Sequence, residues 1–398
     1  MGNLSVTYNK NVSRVPGQTC VSPENVSGVR SFHEGLEGYA PTPLVSLRSL
    51  ARELGAEQFL VKDESKRFGL NAFKALGGSY AIAKYICGEL GLEPGIDTFA
   101  ELRSGRFDEI LRTMTFVTAT DGNHGRGVAW TAKELGCRAV VFLPKGSAAE
   151  RVSNILAEGA QAEVTEWNYD DTVRHAAETA RRNGWILVQD TAWPGYEEIP
   201  CAIMQGYTTL AAEIDAQLRD MDSPRPTHLF LQAGVGSMAG AIAGYLSSLW
   251  GEESPRIVVV EPDRADCLFQ TAKADDGSIH TVTGSMDSMM AGLCCGEPCT
   301  IGWDILKSAA CAFISCDDSY AACGMRLLGR PAPGDQPIVS GESGAVTSSV
   351  AAELMRDPGL ENVKKALGLG TDSRILVIST EGDTDRENYR RILRRDRV

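Results

Sequence analysis

Lys74 lies in the segment Lys62–Gly78, KDESKRFGLNAFKALGG. Before it, Glu57–Glu64 has an apolar centre and acids at its ends and reads as a strand. After it, an Ala-rich stretch reads as a helix from Ala72 to about Glu89, with Asn71 as its N-cap. That spacing puts Lys74 in the first helical turn, where unpaired N–H groups and the positive end of the helix dipole disfavour another cation. The expectation is a lowered pKa, which suits an amine nucleophile that condenses with a carbonyl to a Schiff base. Lysines are seldom buried, so a solvated side chain is the ordinary alternative. The apolar and small flanks, Phe73 and Ala75-Leu76-Gly77-Gly78, argue instead for a segment that has to pack.

Two carboxylates stand at similar joints. Asp121 lies in Thr118–Gly127, TATDGNHGRG, where a strand feeds a helix. The backbone N–H groups of Thr120, Asp121 and Gly122 there suit a substrate carboxylate. Asp121 itself is either a helix N-cap or a group that recognises an amine or takes a proton; His124 reads as a helix-start polar group. Asp190, in VQDTAWPGYE, ends an apolar strand and enters a Trp-Pro-Gly turn. This sets it at a sheet's C-terminal edge, where α/β sites lie, or makes it a turn cap. In Phe230–Gly240, FLQAGVGSMAG, a strand meets Gly234-Val235-Gly236-Ser237 and then a helix. Glycine permits the tight turn, and the helix start offers N–H groups to a phosphate. Ala239 stands where a dinucleotide fingerprint would have its third glycine, which argues against that class.

The Lys74 segment resembles the lysine motif of the fold-type II pyridoxal-phosphate enzymes, the group of the threonine dehydratases. The longer wording, KDES-RFGLNAFK-LGG, and DTAWPGY around Asp190 resemble the diaminopropionate ammonia-lyases among them. The resemblance covers most of the chain. It implies pyridoxal 5'-phosphate on Lys74, with the phosphate in the loop Gly234, Val235, Gly236 and Ser237, and Asn123 at the ring's 3-hydroxyl. Thr380, in Val377–Asp385 (VISTEGDTD), falls at the hydroxyl that faces the pyridine nitrogen, with Ser379 as its competitor. Gly341–Ala345 (GESGA) falls beside the ring, where Glu342 either binds substrate or caps a helix. The dehydratases carry serine where this chain has Asp121; that departure, with Asp190, implies catalytic carboxylates and an amine leaving group. The implied reaction is α,β-elimination of 2,3-diaminopropionate, of both hands, to pyruvate and ammonia. A serine/threonine dehydratase or other β-eliminating lyase is the alternative, and a non-catalytic relative would be expected to lack Lys74.

Alternating strand and helix signals position these groups. Strands are expected at Thr113–Thr118, Ala139–Leu143, Ala162–Glu166, Ile186–Gln189, His228–Gln232, Ile257–Glu261 and Ile375–Ser379. Helices are expected at Gly125–Leu135, Ala148–Glu158, Tyr169–Asn183, Ile203–Arg219, Ser237–Leu249 and Ser343–Met355. Repeated β-α units with short Gly/Pro joints mean doubly wound parallel sheets. The expected division is a large cofactor-binding domain of residues 1–94 and 207–398 and a small mobile domain of 95–206, with the cofactor in the cleft between. Lys273–Trp303 reads as a long loop near the site or the dimer surface.

At 398 residues the chain is too long for one small core. A net charge of −13 argues against nucleic acid or anionic membrane as partners. No apolar run of transmembrane length and no secretory h-region is present, so a cytoplasmic enzyme is expected; a homodimer is the family expectation. Of eleven cysteines, Cys87, Cys137, Cys201 and Cys323 read as small core residues. The cluster Cys294-Cys295…Cys299 fits no zinc spacing, so no metal is expected. A loop disulfide from Cys294 or Cys295 to Cys267 is compatible with the sequence.

Overall fold

The computed structural model describes residues 2–13 and 17–394. The strands, in chain order, are β1 (Leu4–Tyr8), β2 (Leu44–Ser46), β3 (Gln58–Asp63), β4 (Thr115–Ala119), β5 (Arg138–Leu143), β6 (Gln161–Val164), β7 (Ile186–Leu187), β8 (His228–Gln232), β9 (Arg256–Pro262), β10 (Ala310–Cys316) and β11 (Arg374–Ser379). They form two sheets. Seven strands run in the order β1-β10-β9-β8-β11-β3-β2, and four in the order β6-β5-β4-β7. The smaller sheet is parallel throughout. The larger one is parallel except at its edges, where β1 and β2 run antiparallel to β10 and β3. Short antiparallel edge strands end the pairing without an exposed hydrophobic ladder.

The central strands β8, β9 and β11 are apolar runs buried on both faces, as strands of a sheet covered by helices on both sides must be. Sequence expectation and structure agree on β8 and on the helix Tyr169–Asn183 to the residue. The elements that the sequence reading does not include are mostly peripheral, among them β1, β2, β10 and the helix Asp318–Gly329. No helix among the described residues is long and apolar enough to cross a membrane.

The Lys74 helix runs from Lys74 to Leu90, so Lys74 is its first residue. Asn71 does not cap it; its backbone is left-handed, with φ 64°, and Phe73 precedes the first turn. The helix is seated between two others by close backbone approach. A Cβ on Gly77 would lie 2.5 Å from the Tyr207 ring, and one on Gly206 would lie 2.4 Å from the Leu76 carbonyl. Any side chain at either position forces the Glu198–Asp220 helix away, and Lys74 with it.

A buried charge cluster fixes the strand before it. Lys62 Nζ meets Glu213 at 2.6 Å, Gln217 at 2.9 Å and the Thr42 carbonyl at 2.7 Å. Arg67 reaches both Glu213 oxygens, at 2.7 and 2.8 Å, and both Glu64 oxygens at 2.9 Å. Two cations and two carboxylates therefore balance inside the protein with their hydrogen bonds filled, which is what buried charge requires.

Candidate active site

The C-terminal ends of the two sheets face one cavity. Its walls include Lys74, Thr120, Asp121, Asn123, Asp190, Gly234–Ser237 and Thr380. Of the candidates named from the sequence, Gly122, Ser379 and Glu342 do not line it; Gly122 lies on an adjoining cleft, next to Asp121 in the chain. Gln232, Gly292, Leu293, Cys295 and Glu381 line it as well. The segment between the helices Cys267–Ala274 and Thr300–Ala309, with a short 3-10 turn at Ala291–Leu293, folds over the cavity. Cys267, Cys294 and Cys295 in and beside it are thiols. The Sγ of Cys267 contacts the Gly234 carbonyl, and that of Cys294 the carbonyls of Ser288 and Met290.

Lys74 and Asp190 form an ion pair. Burial alone would lower the Lys74 pKa, but the Asp190 carboxylate, helped by Tyr207 and Asp121, outweighs it and holds the amine above its ordinary value. The lowered pKa expected from the helix start is therefore corrected: the dipole is a fraction of a charge, whereas Asp190 is a full charge in contact. Burial works on Asp190 in the opposite sense to its partners. Lys74 and then His124 overcome that burial and keep the carboxyl well below the usual range.

Asp190 is held from several sides. Tyr169 donates its hydroxyl to Oδ1 at 3.2 Å, and Ser237 donates to the Asp190 carbonyl at 2.6 Å. The neighbouring Gln189 clamps this turn to β4. Its Nε2 donates to the Ala119 carbonyl at 3.1 Å, and its Oε1 accepts from the Ala119 amide at 2.9 Å. His124 stands in the first turn of the helix Asn123–Glu134, as the sequence suggests, and is buried. One ring nitrogen, Nε2, bonds the Val188 carbonyl at 2.7 Å, and Nδ1 lies 3.9 Å from Asp190. Burial, and after it Lys74, lowers its pKa despite Asp190.

The Thr120 hydroxyl shapes its loop by accepting from the amides of Gly122 and Gly125, at 2.9 and 3.0 Å. Asn123 donates to Glu381 at 2.6 Å. Thr380 lines the cavity and accepts from Gln232 Nε2 at 3.0 Å, whereas Ser379 bonds Ser340 at 2.7 Å and does not line it. Glu342 begins the Glu342–Arg356 helix and is buried in an adjoining cleft that Asp121 also lines; it accepts from Asn388. Glu381, Gln232 and Gln189 were not singled out from the sequence. Glu381 sits inside the TEGDTD turn, where an acid reads as ordinary turn chemistry, and the two glutamines end strands like any polar boundary residue.

The cavity fits a phosphorylated aldehyde cofactor. Gly236, at φ 95°, turns the chain into the helix Ser237–Trp250, which has no side-chain cap, so its first N–H groups are free for a phosphate. A Cβ on Gly234 would meet Cys295 at 3.0 Å and Leu293 at 3.1 Å, so the cradle is shaped by glycine. Two buried polar atoms of the lining, Gln232 Oε1 and His124 Nδ1, have no partner within the protein. The single amine among these groups, Lys74, lines the same cavity.

Comparison with known proteins agrees. The family model of the pyridoxal-phosphate dependent enzymes matches residues 36–380. The chain is 51% identical to the diaminopropionate ammonia-lyase of Salmonella typhimurium, over 92% of its own length and 91% of that protein. It superposes on the crystal structure of the holo diaminopropionate ammonia lyase from Escherichia coli with a TM-score of 0.91, at 48% identity, covering 99% of this chain and 97% of that one. Threonine deaminase isoform 2 from Solanum lycopersicum shares the fold at 17% identity, with a TM-score of 0.72. The chain thus belongs to the pyridoxal-phosphate dependent enzymes of fold type II and, within them, to the diaminopropionate ammonia-lyases.

Proposed function

We propose that the enzyme removes both amino groups from 2,3-diaminopropionate of either hand, and that Lys74, Asp121 and Asp190 are its catalytic residues. Diaminopropionate and water give pyruvate and two ammonia molecules. The observation that carries the reading is the convergence of the one amine, Lys74, with Asp121 and Asp190 on a single cavity behind the glycine loop. Bound pyridoxal phosphate supplies the electron sink that makes the substrate's α-proton acidic and lets a β-substituent leave.

Lys74 would carry the cofactor, Gly234–Ser237 its phosphate, Asn123 the ring's 3-hydroxyl, and Thr380 would face the pyridine nitrogen. The loop amides of Thr120, Asp121 and Gly122 orient the substrate carboxylate. Lys74 takes the α-proton from one hand of the substrate and Asp121 from the other. The β-amine leaves as a neutral molecule only if it is protonated first, and Asp190 or Asp121 steadies that cation. Once Lys74 has taken the α-proton as a neutral amine, Asp190 beside it steadies the resulting ammonium, and that proton can be passed on to the leaving amine. A hydroxyl-eliminating relative has no use for two acids here, which favours an amine leaving group. The active unit is a homodimer, and residues 95–206 move as a small domain over the rest.

The test is pyruvate release from D- and L-diaminopropionate, serine and threonine, with Asp121→Asn and Asp190→Asn beside the wild type. Faster turnover of serine or threonine than of diaminopropionate would overturn the substrate assignment. Equal loss on both enantiomers in Asp121→Asn would overturn the division of labour.

A further inference from the structure

Asp121 and Asp190, two of the carboxylates that line the site, are held very differently. Asp190 has Lys74, Tyr169 and a backbone tie to Ser237. Among the described residues, the hydrogen-bonding partner of the Asp121 carboxylate is Arg151, whose Nη1 lies 3.4 Å from Oδ2. Arg151 belongs to the helix Ala149–Ala157 and is only 6% exposed. Its side chain packs on the substrate loop, since a Cβ on Gly122 would lie 3.0 Å from Arg151 Cδ. On the far side Nη2 reaches the Thr384 hydroxyl at 3.5 Å, and Nε has no partner.

A guanidinium offers five donors in a fixed fork and is costly to bury. Here it makes two contacts at the outer limit of hydrogen-bond length and leaves a third donor open. Such bonds add little to fold stability. What they do fix is direction: the fork stands against the loop that carries Asp121 and spans from it to the turn after β11. Around it lie the carboxylates of Glu381, Asp121, Glu342 and Asp385. Without this cation, Asp121 would lose its hydrogen-bonding partner and would stand near Glu381, Glu342 and Asp385 with only Lys74, already paired with Asp190, as a positive charge nearby.

We infer that Arg151 is a positioning residue that acts through Asp121 and sets how the enzyme's activity divides between the two enantiomers of its substrate. This rests on the reading that Asp121 takes the α-proton of one hand and Lys74 that of the other. Lys74 has its own partner in Asp190, so loss of Arg151 reaches only the Asp121 side.

The experiment measures kcat and KM for D- and L-diaminopropionate with the holoenzyme forms of wild type, Arg151→Gln, Arg151→Lys, Asp121→Asn and the double variant Arg151→Gln/Asp121→Asn. Arg151→Gln is expected to lower kcat at least about tenfold on the enantiomer that Asp121→Asn impairs most, and less than about threefold on the other. In the Asp121→Asn background the same substitution is expected to change kcat less than about twofold, because residues acting as a unit are not additive. Arg151→Lys, which keeps the charge and loses the fork, is expected to fall between. Equal losses on both enantiomers, or an undiminished effect in the Asp121→Asn background, overturn the inference. If Arg151→Gln fails to fold or to hold the cofactor's visible absorbance, Arg151→Lys decides, and an unshifted enantiomer ratio there overturns it. If Asp121→Asn itself does not separate the enantiomers, the underlying reading falls, and the inference with it.

Discussion

Ser237 donates its hydroxyl to the backbone carbonyl of Asp190 at 2.6 Å, joining the glycine loop of one sheet to the carboxylate turn of the other. The bond is buried, so the carbonyl has no water to turn to if it is lost. Ser237→Ala is therefore expected to lower stability by about 1–3 kcal/mol and to loosen Asp190 together with the phosphate cradle. The check is a pair of measurements: the unfolding midpoint and the cofactor concentration needed to restore activity. A variant that loses stability but binds cofactor as tightly as wild type would confine the bond to the fold.

Asp190→Asn removes the negative charge that keeps a proton on Lys74. Tyr169 can still donate to the amide oxygen, so the turn should survive. Pyruvate release is expected to drop by about 10²- to 10⁴-fold, the usual span for a positioned proton-handling group. The cofactor's visible absorbance should remain, since Lys74 is untouched. Turnover within a few-fold of wild type would remove Asp190 from the proton path.

Thr380 and Ser379 are adjacent on the chain and opposite in placement. Thr380 faces the cavity with Gln232 behind it, while Ser379 is spent on Ser340. Thr380→Val is expected to reduce turnover about tenfold, as loss of one hydrogen-bonding group at a reacting site does. Ser379→Ala is expected to stay within about twofold of the wild-type rate, with its effect on stability instead. Reversed results in the pyruvate assay would exchange the two assignments.

The joints of the fold are legible in the sequence because their signals are local. A strand ending at His228–Gln232, glycines after it and an Ala/Gly-rich helix beyond can be read without knowing what lies opposite. What could not be read depends on partners far along the chain. Leu4–Tyr8 is a strand only because Ala310–Cys316 pairs with it, and that partner is itself broken up by Cys and Ser. Lys62 reads as the polar end of a strand, yet Glu213, 151 residues away, takes it into the interior. The Lys74 charge was misjudged for the same reason. The helix start beside it is visible in the sequence, and Asp190, 116 residues on, is not. Arg151 and Glu381 sit in stretches of ordinary surface composition, and only the folded cleft gives them neighbours.

Glu213 is the hub of the buried charge cluster. Burial alone would raise its carboxyl pKa, but Arg67 and Lys62 hold it down at about 2, from an ordinary value near 4.5. A depressed carboxyl contributes stability above its unfolded value and loses it as the pH falls through the folded one. Acid unfolding should therefore draw on Glu213 between those two values. Glu213→Gln leaves two buried cations facing Glu64 alone and is expected to cost about 3–5 kcal/mol at neutral pH. Chemical denaturation of the two proteins checks this, and a loss below about 1 kcal/mol would mean that the cluster relaxes around the amide.

Glu342 has the opposite sign. Burial, and after it the nearby Glu381, pushes its carboxyl up to about 7 from an ordinary value near 4.5. The folded chain thus holds a proton that the unfolded chain releases, and stability falls as the pH rises between those values. Glu342→Gln has no such proton to lose and can still accept from Asn388 through its amide oxygen. The variant is therefore expected to match the wild type in unfolding midpoint at a pH of about 4 and to exceed it at a pH of about 8. Parallel midpoints across that range would show that Glu342 does not titrate with folding. A variant less stable at both ends would mean that the carboxyl is needed for packing at the start of the Glu342–Arg356 helix.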